Sequence, residues 1–269
     1  MQPTSVPGVE LLRAHFVEHS FDRHSHDTWS IGVTFDGQQT FRCRGTTTTS
    51  RRGNVIVFRP DDAHDGHGED DDGFRYAMLY LPESVVSAWL REAGTGAAAR
   101  GFRHALLEDE ALGHCIADAA QACLQPGESL RSATLMQHAV LRLFQRHADH
   151  RAAPLRETGT PRWLHAVRDH LEAHYASDVT VEQLARIAGV SRVHLTRVFM
   201  QAFGQPPHGH LNSLRLRAAK RLLAQGQSIA ETAVDAGFAD QSHLTRRFKS
   251  GFGVTPGAWL RQTQPRAGA

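Results

Sequence analysis

Two groups of side chains in this sequence have the types and spacing to do chemistry. His24 and His26 flank Ser25 just ahead of an expected strand, and His64 closes the run Pro60-Asp61-Asp62-Ala63-His64. Three imidazoles with one open position can hold Zn²⁺ or another divalent transition metal. In a chain with 18 histidines the alternative is that these rings form the polar lining of a small-molecule effector pocket. The second group is written twice. Arg192, Val193, Thr196 and Arg197 form one set, and Gln241, Ser242, Thr245, Arg246 and Lys249 form the other. Side chains of this kind reach base edges and phosphates in a major groove, where Arg pairs with guanine and Gln with adenine.

The elements that must carry the second group are legible as a repeat. At an offset of 48, Val181, Ala185, Ala188 and Gly189 align with Ile229, Ala233, Ala236 and Gly237. After Ala239 the offset becomes 49, joining His194-Leu195-Thr196-Arg197-x-Phe199 to His243-Leu244-Thr245-Arg246-x-Phe248. A single slip at a turn is the mark of a repeated supersecondary unit. Each copy reads as a helix-turn-helix. Thr180-x-x-Gln183 and Ser228-x-x-Glu231 are capping boxes, Gly189 and Gly237 supply a left-handed turn, and Ser191 and Asp240 cap a second helix. That helix is expected to bury Leu195 and Phe199, or Leu244 and Phe248, and to leave the polar set outward. Between the copies, residues 208–225 predict a helix with Leu211, Leu214, Ala218 and Leu222 as its apolar stripe and Arg215, Arg217, Lys220 and Arg221 around it.

Residues 1–160 hold 16 Lys/Arg and 21 Asp/Glu, whereas 161–262 hold 13 and 7, so a net charge of only +2 hides a basic C-terminal module suited to a polyanion. The length allows two domains. Residues 147–161 lose apolar periodicity and read as a linker, giving expected boundaries of 1–148 for an N-terminal domain, 149–160 for the linker and 161–262 for the C-terminal domain. Strands are expected around 9–12, 29–33, 39–43, 55–58 and 74–81, separated by turn residues, which suggests a small antiparallel barrel. Two helical faces follow. Leu112, Cys115, Ile116, Ala119 and Cys123 mark one; Ala133, Met136, Val140 and Leu143 mark the other, which can pack on the barrel or pair with a second copy of the chain. The cysteines Cys43, Cys115 and Cys123 have no zinc-finger spacing and read as reduced packing residues. Glu69 to Asp72 reads as a solvated acidic loop. No apolar run is long enough to span a bilayer and the N-terminus lacks signal-peptide regions, so a cytoplasmic protein without a membrane partner is expected.

Residues 161–262 resemble the DNA-binding domain of the AraC/XylS family of bacterial transcription regulators. The resemblance rests on Ala233-x-x-Ala236-Gly237-Phe238 followed by Leu244-Thr245-Arg246-x-Phe248-Lys249-x-x-x-Gly253-Val254-Thr255-Pro256. It implies seven helices, two helix-turn-helix subdomains over 180–203 and 228–252, and binding to double-stranded promoter DNA. By position, Val193, Thr196 and Arg197, and Gln241, Ser242, Thr245 and Arg246, match the family's base-reading or phosphate-touching residues. Val193 is apolar where a larger reader is often found, which points to thymine-methyl contact, and Pro206-Pro207 doubles a proline ahead of the linker helix. RNA polymerase and a second copy of the chain are further candidate partners.

The histidine segments resemble the two motifs of the cupin barrel, which that family often carries as its effector domain. The overall fold class is therefore α+β: a cupin-like antiparallel barrel with following helices, then an all-α domain of two helix-turn-helix subdomains joined by a linker helix. The function expected is a DNA-binding transcription regulator, not an enzyme, controlled by a small-molecule effector in the barrel. The alternative is a metal-dependent cupin enzyme fused to a DNA-binding module. Cupin enzymes hold their metal with corresponding histidines and a glutamate, and here Asp27-Thr28-Trp29-Ser30-Ile31 follows His26 without one. A fused DNA-repair alkyl transferase would need a reactive or zinc-bound cysteine cluster, which the sequence lacks.

Overall fold

The computed structural model describes residues 1–17, 20–69, 72–94, 101–125, 127–149 and 161–263. Ten strands come first with three helices: β1 (Gln2–Pro3), β2 (Glu10–Phe16), β3 (Ser20–His24), β4 (Thr28–Asp36), β5 (Gln39–Cys43), β6 (Thr46–Ser50), β7 (Val55–Phe58), β8 (His64–Gly68), β9 (Phe74–Pro82), α1 (Glu83–Glu92), β10 (Leu106–Leu107), α2 (Glu110–Ala122) and α3 (Ser129–His147). Seven helices follow among the described residues: α4 (Arg162–Ala173), α5 (Val181–Ala188), α6 (Arg192–Phe203), α7 (Pro207–Ala224), α8 (Ile229–Asp235), α9 (Gln241–Phe252) and α10 (Pro256–Thr263). The linker expected over 149–160 lies outside the described residues except for Asp149, as do Asp70 and Asp71 of the acidic stretch, whose Glu69 and Asp72 are exposed.

The strands form a six-stranded sheet, β1-β2-β9-β4-β7-β10, and a four-stranded sheet, β3-β8-β5-β6. Register explains how the first is covered. Ile31 stands opposite Leu79 on one side and Val57 on the other, so the period of two puts all three on one face. That face meets α2 and α3 in one core with Leu112, Ile116, Met136, Val140 and Leu143. Trp29, Phe102 and Phe144 add edge-on ring contacts at 5.0–5.7 Å, each contributing about 0.5–1.5 kcal/mol beyond area burial. The α3 stripe thus packs within its own chain, chiefly against α2: Met136 and Leu143 are fully buried in this core. All three cysteines are free; Cys43 is buried, and burial pushes the Cys123 thiol up to about 11, the environment of a packing residue.

By compactness, the described residues of Met1–Ser20, Asp27–Asp61 and Gly66–Leu155 form one unit, and those of Phe21–His26, Asp62–Asp65 and Arg156–Ala269 form a second. In the second, both capping boxes are complete, with side chain and backbone bonded reciprocally at Thr180/Gln183 and Ser228/Glu231. Each cap contributes about 1 kcal/mol. Gly189 and Gly237 take φ of 65° and 81°, the left-handed region the turns require. A Cβ on Gly237 would also lie 2.8 Å from the Ala176 backbone. The second turn holds the extra residue, and it buries Phe238.

Candidate nucleic-acid interface and histidine cluster

Each reading helix is fixed by its own apolar core. Leu195 and Phe199 are fully buried among Leu164, Val167, Leu171 and Leu184. Leu244 and Phe248 are likewise fully buried, with Phe248 against Phe252 at 4.6 Å and Trp259 at 6.1 Å between ring centroids. On a helix, burying these positions leaves the intervening ones outward. Arg192, Val193, Arg197, Gln241, Ser242, Arg246 and Lys249 are exposed, Val193 at 80%, while Thr196 and Thr245 are half-buried beside them. Val193 lies outside the core cluster that holds its helix.

Arg192 differs from the others in having a carboxylate partner. Its guanidinium bonds Glu182 at 2.5 Å, tying α6 to α5 and holding the Glu182 carboxyl below its ordinary range. It would have to exchange that partner for a phosphate. Arg197 lies 3.3 Å from His194 Nδ1. The repeated His194 and His243 each lie against an aromatic ring, His194 tilted to Trp163 at 6.1 Å and His243 edge-on to Phe238 at 5.4 Å between centroids.

Helix α7 spans about 27 Å at 1.5 Å per residue. Its buried face is broader than the expected stripe: Leu211, Ser213, Leu216, Ala218, Ala219 and Leu223 are buried, and Leu214 and Leu222 are half-buried. The cause is packing on two sides, by α4 and α6 and by α8, α9 and α10. The doubled proline suits this start. Pro206 is extended at φ −69° and ψ 162°, as a residue before proline must be, and Pro207 opens the helix where no amide hydrogen is needed.

The three sequence-predicted histidines come together. His24 ends β3 and His64 begins β8, which are neighbours in the four-stranded sheet, and His26 follows His24 by two residues. Their ring centroids lie 4.5–5.4 Å apart. Asp61, at φ 67°, makes the turn that aims the His64 segment. All three rings are buried, and burial is the main reason that each stays below the ordinary imidazole range, His26 and His64 well below it. A cavity of about 1100 Å³ lies elsewhere, beside α2, lined by residues including Arg13, His15, Arg52, Arg75, Asp109 and His114. None of the three histidines lines it.

Sequence reasoning missed a polar network in the second unit. Gln205 is 1% exposed and lies 3.3 Å from His210 Nδ1; it also donates to Ser25 Oγ, and Ser213 and Arg217 reach the same serine. Ser25 stands 180–192 residues from Gln205, Ser213 and Arg217, and no local pattern joins them.

Comparison with known proteins is decisive for the family. Residues 6–140 match the AraC-like ligand binding domain and residues 184–262 match a helix-turn-helix domain. The chain belongs to the AraC-type transcription regulators. This AraC-type regulator is 28% identical over 238 residues to the uncharacterized HTH-type transcriptional regulator YbfI of Bacillus subtilis, covering 88% of this chain and 86% of that one. It is 24% identical to the HTH-type transcriptional activator RhaS of Klebsiella pneumoniae, covering 89% and 87%. In fold it is similar to ToxT of Vibrio cholerae, solved with an unsaturated fatty acid bound, at a TM-score of 0.60 and 13% identity over 97% of this chain and 98% of that one. The regulator therefore joins a ligand-binding N-terminal domain of antiparallel sheets and helices to a helix-turn-helix DNA-binding domain. Among the described residues no helix is long and apolar enough to cross a membrane.

Proposed function

We propose that this regulator works in the cytoplasm, without enzymatic activity, by reading two successive major grooves of promoter DNA with one chain. The observation that carries this reading is the pair of helix-turn-helix units, each with a fully buried Leu/Phe pair beneath an exposed polar or cationic face. In it, Val193, Thr196 and Arg197, with Arg192 at the phosphate, form one reading head; Gln241, Ser242, Thr245, Arg246 and Lys249 form the other. Domain boundaries of 1–148 and 161–262 follow the same division of labour. The cleft beside α2 has the volume a small effector needs. RNA polymerase and a second copy of the chain are partners that promoter binding would bring near.

The reading predicts a steep salt dependence. A basic module that neutralises about six phosphates gives a slope of about −5 in log K against log salt. Fluorescence anisotropy of the full chain on a labelled promoter fragment, from low to physiological salt, measures it. Binding that is absent, or indifferent to salt, sinks the proposal.

A further inference from the structure

We propose that His24, His26 and His64 bind one divalent transition metal ion and that its occupancy is coupled to DNA binding through the segment 22–26. The ligand nitrogens of the three rings lie within 4.8 Å of one another. Nδ1 of His24 donates to the Asp22 carbonyl at 2.6 Å, and Nδ1 of His64 donates to the Asp62 carbonyl at 2.8 Å. Those bonds fix the tautomer that carries a lone pair on Nε2, the outer-shell arrangement typical of metal-binding histidines. Nε2 of His24 faces Nε2 of His26 at 3.1 Å. Ligands on a tetrahedral Zn²⁺ with bonds of 2.0–2.1 Å stand roughly 3.3 Å apart, so one edge is already set and the third ring closes by a small rotation. Imidazole donors without thiolate or carboxylate select Zn²⁺, Co²⁺ or Ni²⁺ over Mg²⁺ or Ca²⁺. The glutamate of cupin enzymes is missing, which leaves the fourth position to water or an anion.

The second half of the inference follows from what surrounds these ligands in their own compact unit. His24 and His26 flank Ser25, whose amide donates to Ser213 Oγ at 3.3 Å and whose Oγ accepts from Arg217 at 3.1 Å, both on α7. Arg23 donates to the carbonyl of Gly204, the residue that ends α6, at 2.6 Å. Arg247 of α9 bonds Asp22 at 3.1 Å. One five-residue segment thus touches the end of the first reading helix, the linker helix and the second reading helix. Ordering it around a metal fixes both heads in one arrangement, and coupling of this kind changes affinity by about 5–150-fold. This half rests on the DNA-binding reading above; the metal site does not.

The test uses the full chain, stripped with a chelator and titrated with Zn²⁺ against a chromophoric competitor, then with Co²⁺. One equivalent per chain and the intense visible absorption of tetrahedral Co²⁺ are expected. His64→Ala and the milder His64→Gln should lose both while keeping their circular dichroism; His174→Ala should keep both. Absence of stoichiometric uptake by the parent chain, or a Co²⁺ spectrum unchanged in folded His64 variants, overturns the site. Operator affinity is then measured with and without Zn²⁺. A change of at least about 5-fold, matched by an equal effect of operator on Zn²⁺ affinity, supports the coupling, because linkage is reciprocal. Uptake with no change in operator affinity overturns it. Uptake by a chain that binds no DNA of any sequence supports the metal site and removes the DNA-binding reading instead.

Discussion

Phe248→Ala is expected to cost about 3–5 kcal/mol and to unmake the second reading head alone. The Phe248 side chain is fully buried, and its ring is held by Phe252 and Trp259. Truncation removes these contacts and leaves a cavity that short helices cannot collapse around. The loss is about two to four decades in the local folding equilibrium. Phe199→Ala should do the same to the first head, where the ring meets Phe203 at 4.5 Å and His210 at 5.6 Å. Hydrogen exchange resolved by peptide is the measurement. In Phe248→Ala, protection should vanish over 241–252 and persist over 164–171; uniform loss across 162–263 would show that the two heads share a single cooperative core.

Arg197→Ala and Arg246→Ala carry the other large effect. Each should weaken specific binding by about 1–3 kcal/mol, and each should relax preference at a different base position. The two residues sit on separate helices, α6 and α9, so their losses should add in the double variant, to about 2–6 kcal/mol. Binding of each variant to a panel of single-base operator substitutions decides their roles. Losses confined to particular positions make them base readers, whereas equal losses on every sequence make them phosphate clamps. Arg192→Ala should differ from both. Its existing bond to Glu182 means that part of its effect is on the α5–α6 contact, visible as lost stability without DNA.

The C-terminal domain was legible because its signals are local. Capping boxes, turn glycines and i, i+4 apolar pairs operate within a few residues, and Thr180, Ser191, Ser228 and Asp240 all cap where the sequence places them. The barrel was half legible. Strands β4, β7 and β9 carry apolar β-branched and aromatic runs, but β6 is Thr-Thr-Thr-Thr-Ser and β8 is His-Asp-Gly-His-Gly, without the apolar residues that marked the expected strands. They are strands because neighbours pair with them, a tertiary effect that propensity does not contain. The α3 stripe was visible as an apolar face, yet periodicity does not say what covers a face. Leu214 and Leu222 on α7 misled for a related reason: a helix packed from two sides has no single stripe. The three histidines were found because their segments resemble the two cupin motifs. What could not be found was Ser25 bonded to Gln205, Ser213 and Arg217, because those partners are some 180 residues away.

The central claim is that one chain reads two successive grooves. Hydroxyl-radical footprinting of the full chain on an operator selected from random DNA tests it directly, run at protein concentrations where the stoichiometry is measured in parallel. The account predicts one chain per operator, with two protected patches on the same face of the duplex about 10 bp apart, and with Arg197→Ala and Arg246→Ala each erasing a different patch. A single patch per chain, or two symmetric patches that appear only when two chains are bound and respond identically to both substitutions, would contradict it.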